Sequence, residues 1–106
     1  MNIIESTKYR KAINKVLKNK TKELNRLENI KNLFISKNTM HDVIIDPYKD
    51  IYYIEKKNGN LKEYYTARIN NKIRLIMIPV GNYPYDLKTI TDIIFDDIDN
   101  THYGEG

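Results

Sequence analysis

The sequence predicts an α+β domain in which two N-terminal helices pack on an antiparallel sheet of about four strands. Three observations carry this reading. Up to about Ser36 the apolar residues recur at helical spacing. Beyond Asp46 the pattern changes to runs of Ile, Tyr and Thr broken by turn residues. The chain has 106 residues, one domain's length and too short for two good cores, so 1–106 is read as a single unit.

Asn2 to Glu5 is a short apolar opening that reads as an edge strand. Ser6 or Thr7 then caps a first helix. Its stripe is Tyr9, Ala12, Ile13, Val16 and Leu17, with Lys8, Arg10, Lys11, Lys15 and Lys18 off the stripe. Thr21 is placed as the cap of a second helix reaching about Ser36. Leu24, Leu27, Ile30, Leu33 and Phe34 form its apolar side, and Arg26, Asn29 and Asn32 its polar side. The segment Asn19 to Thr21 allows either an αα-hairpin or one long bent helix. Asn38 and Thr39 end the helical region, and Asp46-Pro47 marks a turn, because the residue before proline is pushed out of helical geometry.

The second half reads as strands. Tyr64 to Ile69 is one, Asn70-Asn71 a tight turn, and Ile73 to Val80 the returning strand. Gly81 to Lys88 is a loop around Pro84. Thr89 to Ile98 is the last strand, with Ile90, Ile94 and Ile98 expected on one face and Ile93 and Phe95 on the other.

Composition narrows the function classes. Hydrophobic residues make up 41% and charged residues 30%, ordinary for a soluble domain. No apolar run approaches the ~20 residues of a membrane span. Glu5 comes early and no h-region precedes it, so no secretory signal is expected and a cytoplasmic location follows. With no cysteine and only two histidines, disulfide, thiol and His-rich metal chemistry are excluded, and no metal or other cofactor is expected. Met1 to Lys37 holds ten basic and three acidic residues, the remainder eight basic and eleven acidic. A basic N-terminal third fits a polyanionic partner; the alternative is a solvated lysine-rich helix face.

Two arginines stand inside strands, Arg68 and Arg74, in a chain with four Arg to fourteen Lys. Arginine is suited to bidentate phosphate or carboxylate binding. The alternative for Arg68 is an outward side chain paired with an Asp. The string Thr66 to Met77 (TARINNKIRLIM), the strand IIFDDID and the pair His102-Tyr103 resemble the RelE/ParE superfamily of bacterial toxins, and within it the YoeB-type branch. The resemblance covers Glu55 to Tyr103.

That resemblance implies a type II toxin that acts as an endoribonuclease on mRNA, at the ribosome, and is silenced by a cognate antitoxin protein. It implies Arg74 as the phosphate-binding arginine, His102 and Tyr103 as the C-terminal pair, and Glu55 as the general base. The residues fit such chemistry. Cleaving RNA without a metal needs a base for the 2′-OH, a cation for the phosphate and an acid for the leaving oxygen. Histidine suits the acid near neutral pH, and a tyrosine can stack a splayed base. Arg68, Lys72, Tyr83 and Tyr85 are added as RNA-binding residues. Among the nine tyrosines, Tyr83 and Tyr85 are the expected exposed pair, and the rest divide between core and rim. His41 is a loop residue without a role. Two alternatives remain open: a toxin of the ParE branch that binds DNA gyrase without cutting RNA, and a non-catalytic interaction module. His102 together with Arg74 argues for the nuclease.

Overall fold

The computed structural model describes residues 1–100; His102 and Tyr103 lie outside the described residues. The order of elements is β1 (Asn2–Glu5), α1 (Thr7–Val16), α2 (Thr21–Ile35), α3 (Met40–Ile44), α4 (Tyr48–Ile51), β2 (Glu55–Lys56), β3 (Tyr65–Arg68), β4 (Arg74–Pro79) and β5 (Asp92–Asp99). The strands form one sheet in the order β1-β5-β4-β3-β2.

Ser6 is the N-cap of α1, its Oγ accepting from the Tyr9 amide at 3.0 Å. The same hydroxyl donates to Asp96 O at 2.8 Å, which ties the helix start to β5. Asn19, at φ 63°, takes the left-handed conformation between α1 and α2. This breaks the chain into two helices rather than one long bent helix, since asparagine enters that region at low cost. At α2 the cap position belongs to Lys20, which makes no side-chain cap bond, and Thr21 is the first helical residue. Thr39 does not end the helical region but starts more of it. Its side chain accepts from the Asp42 amide and caps α3.

The sheet has five strands and is mixed, where an antiparallel sheet of about four was expected. β1 runs parallel to β5, with Ile3 opposite Ile93, whereas the β2–β3, β3–β4 and β4–β5 pairs are antiparallel. A parallel neighbour needs a long crossover, and here nearly the whole chain separates the two partners. The β3–β4 hairpin turns as predicted at Asn70, through its side chain rather than through positive φ. Asn70 Oδ1 accepts from the amides of Lys72 and Ile73 at 2.8 and 2.9 Å.

One face of the sheet carries the core. Phe95 is fully buried and meets Tyr9 and Phe34 edge-on, with centroids 5.7 and 5.8 Å apart. Leu17, Leu27, Ile30, Ala67, Leu75, Met77, Ile93 and Ile98 are among the other members of the cluster. Ile98 therefore shares a face with Ile93 and Phe95, not with Ile94. The cause is a β-bulge: Met77 is opposite Phe95 but Ile76 is opposite Asp97, so Asp96 is an extra residue in β5. One extra residue reverses the alternation beyond it. Among the described residues, no helix is long and apolar enough to cross a membrane.

A candidate anion site on the outer face of the sheet

Side chains alternate across a strand, so with Ala67 and Leu75 in the core, Arg68 and Arg74 belong to the opposite face. They are direct cross-strand partners, and Arg74 is also opposite Asp99 on β5. Glu55 is opposite Thr66 on β3, two residues from Arg68 and on the same face. The register thus lines up an outer row of Arg68, Arg74 and Asp99, with Glu55 at the sheet edge beside it. A cavity of about 120 Å³ opens there, lined by Lys57, Tyr64, Thr66, Arg74, Ile76 and Asp99 among others.

Like charges directly opposite one another destabilise a sheet. The arginine pair is held by its neighbours. Arg74 is 8% exposed. Its Nη1 donates to Asn70 O at 2.6 Å and more weakly to Ile73 O at 3.3 Å, so the hairpin loop grips one side of the guanidinium. Burial, followed by the nearby Arg68 charge, pushes its pKa below the usual arginine value, while Glu55 and Asp99 act in the opposite direction. Arg68 is half-buried, and its guanidinium carbon lies 3.8 Å from the centroid of the Tyr53 ring. Arg68 Nε is buried with no hydrogen-bond partner among the described residues. The expected alternative for Arg68, pairing with an Asp, is not what the described residues show; an aromatic face is its partner.

Arg26 supports the site from behind. Its Nε donates to Arg68 O at 2.7 Å and its Nη2 to Ile51 O at 2.8 Å, and its guanidinium lies over the Tyr52 ring at 5.0 Å. Asn70 Nδ2 donates to Glu23 Oε2 at 3.0 Å, so α2 braces the hairpin too. The sequence set Arg26 merely on a polar helix side and left Tyr53 among the tyrosines divided between core and rim. Arg26 stands on α2 and Tyr53 just after α4, far from Arg68 in sequence, and only the fold brings them together.

The remaining sequence-predicted residues fall elsewhere. Lys72 is exposed in the hairpin turn. Tyr83 is exposed and Tyr85 half-buried; they contact each other edge-on at 5.5 Å. The Tyr85 hydroxyl donates to Glu63 O at 2.8 Å, and the Lys62 ammonium lies 5.4 Å from the centroid of the Tyr83 ring. Both tyrosines line a second cavity, of about 160 Å³, with Lys56, Lys62, Tyr65 and Leu87. It shares no lining residue with the arginine cavity. The structure thus brings together Glu55, Arg68 and Arg74, and sets Tyr83 and Tyr85 apart. No group of His, Cys, Asp and Glu able to hold a metal ion occurs among the described residues.

No protein-family model and no curated protein matches the chain. Solved structures do match. The toxin YafQ from E. coli superposes with a TM-score of 0.65 at 18% identity, over 93% of this chain and 91% of YafQ. YafQ in the E. coli DinJ-YafQ toxin-antitoxin complex gives 0.62 at 20% identity, over 93% and 90%. A copper-bound mutant toxin from Helicobacter pylori gives 0.58 at 17% identity, over 94% and 93%. The fold is the RelE-like fold of these toxins.

Proposed function

We propose that the chain is the toxin of a type II toxin-antitoxin pair and acts as a metal-independent endoribonuclease on mRNA at the ribosome. The observation that supports this best is the pair of cross-strand arginines, Arg68 and Arg74, on the outer face with carboxylates alongside. A site that sets two cations side by side favours an anion bridging them, and a phosphodiester fits. Arg74 binds the scissile phosphate. One nitrogen is already spent on the hairpin carbonyls, so Nε and Nη2 supply its donors to the ligand. Glu55 is exposed at the edge of the same face and takes the proton from the attacking 2′-OH. His102 donates the proton to the leaving 5′-oxygen, and Tyr103 helps to place the substrate. His102 follows Asp99, the cross-strand partner of Arg74, by three residues, a chain reach of at most about 10 Å. Arg68 adds a second cation, and Lys72 attracts the polyanion from the turn.

The branch within the superfamily is proposed as YoeB-type, on the sequence motifs alone. The likeness to YafQ in the DinJ-YafQ complex supports a protein antitoxin as the natural inhibitor. A disordered antitoxin segment folding over the basic N-terminal third and the arginine cavity would silence the toxin. Tyr83 and Tyr85 contribute a separate contact to single-stranded RNA.

Induced expression with mapping of mRNA 5′ ends tests the reading, together with cleavage of RNA in the presence and absence of translating ribosomes. Arg74→Lys is expected to lower cleavage at least 100-fold, because lysine keeps the charge and loses the planar fork. Parental cleavage by that variant removes Arg74 from the site. Harmless high-level expression of the parent, or gyrase inhibition without new mRNA ends, overturns the nuclease reading.

A further inference from the structure

We infer that Tyr53 is a positioning residue: its ring holds the Arg68 guanidinium beside Arg74, so that the two arginines meet an RNA phosphate as a preset pair. The inference rests on the ribonuclease reading above.

Tyr53 sits at φ 51°, in the left-handed region. A bulky side chain there is strained, and glycine is the usual choice where a helix has just ended. Tyr53 follows Tyr52, the C-cap of α4, so a position suited to glycine carries a large aromatic instead. Strain of this kind persists where the surroundings impose it, and it concentrates at functional sites.

The surroundings are visible. The Arg68 amide donates to Tyr52 O at 2.8 Å, and Arg26 fastens both Arg68 O and Ile51 O. The Ile54 amide donates to Lys49 O at 2.9 Å, closing the turn that contains Tyr53. These bonds force the chain through the left-handed conformation and bring the Tyr53 ring against Arg68, 3.8 Å from its guanidinium carbon. With Nε unbonded among the described residues, the ring is the contact that restrains the guanidinium. Without it, a long side chain opposite a second arginine gains both rotamer entropy and charge separation by swinging away. Preorganising the pair removes that cost from the binding step.

The test uses the full chain with Tyr53→Phe, Tyr53→Leu and Tyr53→Gly. Melting temperature, kcat and KM for RNA are measured, with the affinity for an RNA carrying 2′-O-methyl groups that block cleavage. Tyr53→Phe keeps the ring and is expected to match the parent. Tyr53→Leu and Tyr53→Gly lose the stack and are expected to weaken RNA binding about tenfold. Tyr53→Gly is expected to do so with an unchanged or higher melting temperature, since it relieves the backbone; a purely structural role predicts loss of activity only through loss of stability. Parental binding and cleavage by Tyr53→Gly and Tyr53→Leu overturn the inference while leaving the ribonuclease reading intact. A parent that neither binds nor cleaves RNA, with or without translating ribosomes, overturns both.

Discussion

Replacing Arg26 by methionine isolates the clamp behind the arginine row. Methionine keeps most of the apolar stem and removes the guanidinium. Two charge-assisted hydrogen bonds disappear, to Arg68 O at 2.7 Å and to Ile51 O at 2.8 Å. Hydrogen bonds to a charged group contribute about 1.5–3 kcal/mol each where water cannot replace them. The bond to Ile51 O is exposed, so water takes it over at little cost. The bond to Arg68 O is partly buried and is assigned about 2 kcal/mol. The guanidinium over Tyr52 at 5.0 Å adds about 0.5–1 kcal/mol. The expected loss is therefore about 3 kcal/mol, or a fall in Tm of about 12–24 °C for a domain this size. Circular-dichroism melting measures it. Amide hydrogen exchange should also show earlier opening at Arg68, whose N–H donates to Tyr52 O. Arg26→Lys should fall between, because one ammonium cannot span both carbonyls in the same fork. A melting temperature within about 3 °C of the parent for Arg26→Met, on the same scale, would refute the clamp.

The buried Tyr9 hydroxyl has no hydrogen-bond partner among the described residues. Tyr9→Phe should therefore hold or raise stability, by about 1 kcal/mol, in urea titration; a clear loss would mean that the hydroxyl has a partner. Hydrogen bonds from Lys31 and Lys37 are the leading causes that hold the Glu5 and Asp46 carboxyls below their ordinary values. Their folded pKa values lie below the unfolded ones, so their contribution is complete above about pH 5 and is lost as pH falls through the folded values. The urea midpoint should drop with acid in that window, and Lys31→Met should flatten the slope; an unchanged slope counts against the Glu5 pair. Deleting Asp96 should leave a folded protein with a regular β4–β5 ladder, because the deletion restores alternation while keeping Ile98 inward. The cost should be about 1–2 kcal/mol, chiefly from the lost Ser6 contact, and loss of the near-UV circular-dichroism signal, the mark of a molten state, would contradict the bulge assignment.

Local chemistry was legible wherever a residue acts within its own element. The stripes of α1 and α2, the Ser6 cap and the β3–β4 hairpin follow from spacing and side-chain type, because a helix or hairpin is decided by near neighbours. Residue type and position inside strands likewise marked Arg68 and Arg74 as candidates to bind an anion. The tertiary structure decided what depends on distant partners. β1 is parallel to β5 because the last strand comes to lie beside the first, a pairing that no local pattern encodes. Asp96 is a bulge because Phe95 and Ile98, three residues apart, must both enter one core; spacing read as simple alternation put Ile98 on the wrong face. Arg68 is opposite Arg74 only once the hairpin register is set. Arg26 and Tyr53 join that row only when α2 and the turn after α4 close on β3. Charge and residue type selected the candidates, and long-range packing chose which of them meet.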